Sequence, residues 1–93
     1  MERRRISSGS PFEPIGGYCR ALVAGRHVQI SGTAPIPPDG APPPESAYEQ
    51  TRLCLDIMLR ALAEAGGRAE DIVRTRMYIS APEHWDDVAR AHG

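Results

Sequence analysis

The sequence has few aromatic residues and no long apolar run. One Trp, three Tyr and one Phe make up 5% of its 93 residues, and this scarcity argues against the aromatic stacking platform of a nucleic-acid site. No apolar stretch reaches the roughly 18 residues of a membrane span, and the N-terminus lacks the apolar segment of a signal peptide. We therefore predict a cytoplasmic protein with neither nucleic acid nor membrane as a partner.

Cysteine and histidine are also sparse. Two cysteines, Cys19 and Cys54, provide no disulfide framework, and we predict that both are buried, reduced thiols. The three histidines, His27, His84 and His92, share none of the spacings of zinc sites. The sequence therefore predicts no metal site and no cofactor.

Charge and length restrict the possibilities further. The formal net charge is −1, and the single basic cluster is residues 3–5, Arg-Arg-Arg. We interpret that triplet as part of a solvated terminal strand rather than a binding arm. A chain of 93 residues forms one domain, residues 1–93, with a core near the lower limit of independent stability.

Residues 14–34 contain the clearest β-hairpin signal. Two runs of β-favouring residues, 18–23 and 27–31, flank Ala-Gly-Arg with Gly25 at the turn. The second run ends at Ser31-Gly32, where a residue without a side chain lets a ligand approach the backbone. Antiparallel pairing brings Tyr18 and Ser31 to the same end of the hairpin. A weaker alternation over residues 3–8 predicts a first strand.

A long helix follows an irregular proline-rich loop, residues 35–44. Ser46 and Glu49 fit a capping box, and Gly66-Gly67 supplies a stop. The apolar residues at helical spacing predict a core face, formed by Cys54, Ile57, Met58, Ala61, Leu62 and Ala65.

The last part of the chain predicts a strand and a short helix. Residues 72–80 alternate between apolar and polar, as a strand with two differently solvated faces does. A second helical face then consists of Trp85, Val88, Ala89 and His92. The element order favours an α+β fold in which two helices pack on one face of a mostly antiparallel sheet.

Two segments of the hairpin region, residues 15–21, Ile-Gly-Gly-Tyr-Cys-Arg-Ala, and residues 30–33, Ile-Ser-Gly-Thr, match known signature motifs. They are similar to the Ile-Gly-Pro-Tyr-Ser-Gln-Ala and Ile-Ser-Gly-Gln signatures of the RidA/YjgF family of reactive-intermediate (enamine/imine) deaminases. The likeness continues through residues 65–67, Ala-Gly-Gly, residues 71–75, Asp-Ile-Val-Arg-Thr, and residues 77–79, Met-Tyr-Ile. The order and spacing of these segments cover nearly the whole chain.

The resemblance implies a fold, an assembly and an activity. It implies a chorismate-mutase-like sheet assembled as a homotrimer, with pockets at the subunit boundaries. The implied reaction is hydrolysis of reactive 2-imino or enamino acids to 2-keto acids and ammonia, without a cofactor. On the matching motifs, Tyr18 and Ser31 are the candidate catalytic residues, and Gly32 and Thr33 are the candidate substrate-binding residues.

The sequence also departs from the family pattern. Members continue into further strands that carry an arginine and a glutamate of the active site, and neither has a counterpart here. We therefore expect the chain to be C-terminally incomplete relative to the family. Gly17 stands where the family usually has proline, and Thr33 where it has glutamine.

Other interpretations remain open. Without the resemblance, Ser31 is a strand-end hydroxyl satisfied by the backbone and Tyr18 is a packing aromatic. The main alternative function is a non-catalytic trimer that binds small molecules. A ribonuclease ranks last, because the sequence shows no basic groove.

Overall fold

A three-stranded antiparallel sheet in the order β1-β2-β3 is the framework of the molecule, whose computed structural model describes residues 2–93. The strands are β1 (Arg3–Ile6), β2 (Ala21–Ala24) and β3 (His27–Ile30). Ala24 pairs with His27 across the turn. Gly25 has a φ of +61° there, which a residue with a Cβ adopts only at a steric cost. The predicted hairpin and its glycine turn are confirmed.

The first hairpin strand begins later than predicted. A short helix, α1 (Phe12–Gly16), precedes it and ends at Gly17, which adopts the left-handed conformation. The chain then bends at Arg20, and β2 starts only at Ala21. The predicted start at Tyr18 was wrong, because residues 18–20 form an irregular connection that leaves the Gly17 cap and bends at Arg20 before the strand begins.

The long helix, α2 (Ala47–Glu64), lies against β3 and carries the core. The Ser46 hydroxyl accepts a hydrogen bond from the backbone N–H of Glu49 at 3.0 Å, which confirms the Ser46 half of the predicted capping box. Ala61 and Leu62 are the buried residues of the helix. Ala61 joins Ile6 and Ala21 in a cluster, against which the half-buried residues Val23, Val28, Ile30 and Ala65 pack.

The last helix, α3 (Trp85–His92), packs against α2. Val88 is buried, but Trp85 is 55% exposed. The predicted apolar face of this helix is therefore only partly covered. The guanidinium of Arg90 lies 4.3 Å from the centre of the Tyr48 ring, a cation–π contact that links α3 to α2.

Residues 72–80 form no strand in the part of the chain that the structure describes. The alternation of these residues predicted one, and that prediction was wrong. A strand needs a hydrogen-bonded neighbour, and among residues 2–93 the sheet consists of β1, β2 and β3 without this segment. The side chains of this segment are consequently solvent-accessible, with Val73 98% and Tyr78 88% exposed.

The two faces of the sheet differ in polarity. The helix-covered face carries the apolar cluster, whereas Arg5, Leu22 and Gln29 form a cross-strand row on the opposite face. Sheet and helices together confirm the α+β prediction. Within residues 2–93, none of the helices has the length and apolar character needed to cross a bilayer. A cytoplasmic location stays a prediction.

Candidate functional site

The end of the hairpin brings Ser31 next to the backbone that follows Tyr18. The Ser31 hydroxyl donates to the carbonyl oxygen of Cys19 at 2.7 Å, and the Ser31 N–H donates to the carbonyl of Arg20 at 3.0 Å. The predicted pairing of the two ends is therefore present at Cys19 and Arg20, and Tyr18 lies just before the paired residues. The hydroxyl proton is engaged by the backbone, but the lone pairs of the oxygen can still accept from a ligand.

Tyr18 immediately precedes Cys19, whose carbonyl Ser31 binds, and the residue is 43% exposed. Its ring packs directly on Gly16, where a Cβ would lie only 2.8 Å from the Tyr18 Cε1 atom. The missing side chain at Gly16 therefore makes room for the phenol. Within residues 2–93 the Tyr18 hydroxyl makes no hydrogen bond, so it is available to a ligand.

A groove of about 350 Å³ runs along Tyr18. It is lined by Arg5, Glu13, Pro14, Gly17, Tyr18 and Cys19. Of the predicted site residues, Tyr18 lines this groove, whereas Ser31, Gly32 and Thr33 do not.

Gly32 and Thr33 continue from Ser31 and differ in their availability. A Cβ built on Gly32 meets no atom within 4 Å, so the space beside its backbone is open. The Thr33 hydroxyl is already engaged. It donates to the Ser31 carbonyl at 2.9 Å and accepts from Arg20 Nη1 at 2.8 Å. Gly32 thus has the accessibility expected of a binding residue, while Thr33 holds the loop in place.

Arg20 is a site residue that the sequence prediction missed. Its side chain is only 5% exposed. Nη1 donates to the Gly32 carbonyl at 3.1 Å and to Thr33, and Cζ lies 5.5 Å from the centre of the Tyr18 ring. The sequence does contain a signal for this position. Counting the hairpin register back from the Ala24–His27 pair places Arg20 opposite Ser31.

Glu13 is a second missed residue, a carboxylate that is 4% exposed at the edge of the groove. Its Oε2 atom accepts from the Ser8 N–H at 3.0 Å and from the Ser8 hydroxyl. Burial alone would raise the pKa of Glu13, but hydrogen bonds from Ser8 and Ser7 and the charge of Arg20 together hold this pKa below its ordinary value. The ionised carboxylate therefore ties the segment before α1 to that helix.

The two cysteines are free thiols, as predicted. Cys54 donates from Sγ to the Thr33 carbonyl at 3.3 Å. Burial raises the pKa of the Cys54 thiol, despite the opposing effect of Arg20. Both cysteines are half-buried rather than fully buried. No cluster of three or more potential metal ligands occurs in residues 2–93.

Comparison with known proteins finds one family model and relatives that match most of this chain. Residues 8–93 match the family model described as Endoribonuclease L-PSP. An uncharacterized protein of Streptomyces coelicolor is 37% identical over 89 residues, which are 96% of this chain and 66% of that protein. A RutC family protein of Pyrococcus abyssi is 31% identical over 80 residues, 85% of this chain and 63% of its own length.

A solved structure agrees with the fold. The crystal structure of a YjgF/YER057c/UK114 family member from Mycobacterium tuberculosis superposes with a TM-score of 0.86 at 35% identity, covering 98% of this chain and 71% of the other. The chain spans about two thirds of the length of the curated relatives that it matches. Because the family match covers nearly the whole chain, this protein belongs to the RidA/YjgF (Endoribonuclease L-PSP) family.

Proposed function

We propose that this protein binds small 2-imino and 2-keto acids at the open end of the β2–β3 hairpin and hydrolyses the imines. The observation that carries the proposal is the convergence of three features at one strand end: the Ser31 hydroxyl beside the Cys19 carbonyl, the available phenol of Tyr18, and the open backbone at Gly32. Membership in the family supports the same location.

Hydrolysis of an imine depends more on positioning the substrate and water than on a strong acid or base. Water adds to the C=N carbon of the imine, and the resulting carbinolamine loses ammonia to leave the 2-keto acid. The site has to hold the acid, orient the C=N bond and supply a proton to the departing nitrogen. In the proposal, Tyr18 orients the substrate and donates that proton, while Ser31 and the Gly32 backbone hold the polar groups of the substrate.

A rate measurement tests this function. With 2-iminobutyrate generated in situ by an amino acid oxidase, we expect the protein to accelerate formation of 2-ketobutyrate above the rate in buffer, in proportion to its concentration. Ser31→Ala is expected to reduce that acceleration, and its fold is expected to persist, because one hydroxyl hydrogen bond contributes roughly 0.5–1.5 kcal/mol. A rate equal to that of buffer alone would refute the hydrolase proposal.

A non-catalytic binding protein is the second candidate, and one observation favours it. Within residues 2–93, no carboxylate or imidazole is hydrogen-bonded to the Tyr18 or Ser31 hydroxyl, so neither has a general base in contact. Binding of 2-ketobutyrate without acceleration of imine hydrolysis would select this candidate.

We further propose that the protein assembles as a homotrimer. Support comes from the exposed apolar side chains of the single chain, among them Val73, Tyr78 and the 81% exposed Ile15. Sedimentation equilibrium is expected to give three times the mass of one chain. A monomer at tens of micromolar would contradict the proposal.

A further inference from the structure

The loop that follows β3 has three successive carbonyl oxygens that are all bound by side chains. The Ser31 carbonyl accepts from the Thr33 hydroxyl at 2.9 Å, and the Gly32 carbonyl accepts from Arg20 Nη1 at 3.1 Å. The Thr33 carbonyl accepts from Cys54 Sγ at 3.3 Å. The loop backbone is therefore held by a residue next to β2 and by a residue of α2.

The bound carbonyls determine where the N–H groups of this loop point. A peptide group is planar and trans here, so its C=O and N–H bonds point in opposite directions. Binding of the Ser31 and Gly32 carbonyls thus sets the directions of the Gly32 and Thr33 N–H bonds, respectively. Within residues 2–93 neither of these N–H groups donates to an acceptor. Side-chain contacts therefore hold two successive donors in position for the polar groups of a ligand.

Arg20 connects this loop to Tyr18. A single atom, Nη1, donates to the Gly32 carbonyl and, at 2.8 Å, to the Thr33 hydroxyl. The guanidinium carbon lies 5.5 Å from the centre of the Tyr18 ring. Arg20 is buried, and hydrogen bonds and cation–π contacts are stronger away from bulk water. One side chain thus contacts three of the four site residues that the sequence predicted.

The contact between Arg20 and Thr33 departs from the family signatures at both of its residues. The signatures of the RidA/YjgF family have glutamine at each of these two positions, whereas this chain has a long guanidinium at position 20 and a short hydroxyl at position 33. The two side chains meet directly. The two departures therefore belong to one contact rather than to separate parts of the molecule.

We propose that Arg20 is a positioning residue, which holds the Gly32 and Thr33 N–H groups and the Tyr18 ring in the arrangement that binds and hydrolyses the 2-imino acid. This inference rests on the proposed function, and it assigns Arg20 no contact with the substrate. Arg20 acts through Tyr18 and through the loop that it binds. A displacement of about 1 Å in an orienting group can cost about 100-fold in rate, so a residue behind the site can control it.

The test is a double-mutant cycle with 2-iminobutyrate as substrate and 2-ketobutyrate as ligand. Arg20→Gln, Thr33→Val and the combined variant are each assayed for kcat/KM and for Kd, with folding checked by circular dichroism. We expect Arg20→Gln to lower kcat/KM about 10- to 100-fold. Thr33→Val is expected to lower it about 10-fold. The combined variant is expected to lose no more than Arg20→Gln alone, because both changes break the same unit.

Two control variants separate positioning from a general loss of stability. Thr33→Ser keeps the hydroxyl and is expected to recover most of what Thr33→Val loses. Arg26→Gln removes an exposed arginine of the hairpin turn and is expected to leave both constants unchanged. In 15N-labelled protein without ligand, the Gly32 and Thr33 amide resonances are expected to move in Thr33→Val and to return towards their wild-type positions in Thr33→Ser.

The outcomes separate this inference from the proposed function. If folded Arg20→Gln has the kcat/KM and Kd of the wild type, Arg20 is not a positioning residue and the proposed function stands. If the losses of the two single variants multiply in the combined variant, Arg20 and Thr33 act separately and the inference is overturned. If the wild type neither binds 2-ketobutyrate nor accelerates hydrolysis, the proposed function fails and the inference fails with it.

The two Thr33 variants decide the case in which Arg20→Gln does not fold. Each changes only the partner of Arg20 and leaves the arginine in place. A recovery in Thr33→Ser, with the matching return of the Gly32 amide resonance, supports the inference. Equal losses in Thr33→Ser and Thr33→Val would overturn it.

Discussion

Replacing Leu62 by alanine is expected to lower the free energy of unfolding by about 2–5 kcal/mol, the usual cost of a cavity in a core. Leu62 is 6% exposed and is one of two buried residues on α2. Gly67 packs closely against it, since a Cβ there would lie 2.5 Å from Leu62 Cδ1. Truncating Leu62 therefore also removes its contact with the Gly67 backbone.

Urea unfolding of the variant measures this cost, with Leu59→Ala as the matched control. Leu59 lies on the same helix but is 38% exposed, so its truncation is expected to cost less than that of Leu62. Equal midpoints for the wild type and Leu62→Ala would show that the proposed core face is wrong.

Replacing Glu13 by alanine is expected to lower the free energy of unfolding by about 1–3 kcal/mol, because the Ser8 N–H and hydroxyl both lose their acceptor. Glu13→Gln is the matched control, since it keeps an acceptor oxygen and removes only the charge. Glu13→Gln is therefore expected to be more stable than Glu13→Ala. Equal stability of the wild type and Glu13→Ala would contradict the assigned role.

The same carboxylate predicts a pH dependence. The pKa of folded Glu13 lies below its ordinary value of 4.5. The stabilisation is consequently present above about pH 4.5 and is lost as the pH falls through the lower, folded pKa. Thermal melts across acid pH should show a steeper loss of stability for the wild type than for Glu13→Gln. Parallel curves would mean that Glu13 does not contribute to the acid response.

The sequence predicts best the elements whose causes are local. The β2–β3 turn depends on Gly25, and the start of α2 depends on Ser46, each within a few residues of the structure that it sets. Residues 72–79 show the opposite case. Their alternation is that of a strand, but a ladder requires a neighbouring strand, and none lies beside them within residues 2–93.

The part of the candidate site that depends on local hairpin pairing was predictable, and the part that depends on loop conformation was not. Ser31 lies beside the backbone of Cys19 and Arg20 because hairpin pairing determines which ends adjoin, and pairing follows from the turn. The burial of Arg20 was not predicted, because an arginine near a strand end is usually solvated. Its burial depends on Gly32 and Thr33, whose loop conformation the sequence does not reveal. The burial of Glu13 was not predicted either, because α1 is only five residues long and its sequence has no clear periodicity.

The most direct test of the strand-end site is a chemical-shift map of the uniformly 15N-labelled wild type titrated with 2-ketobutyrate. Our account predicts that the largest changes occur at the backbone amides of Tyr18, Cys19, Ser31 and Gly32, with saturation at one ligand per chain. Residues of the β2–β3 turn at the far end of the hairpin, such as Gly25, should be unaffected. Saturable changes centred elsewhere, or no saturable change at any ligand concentration, would contradict it.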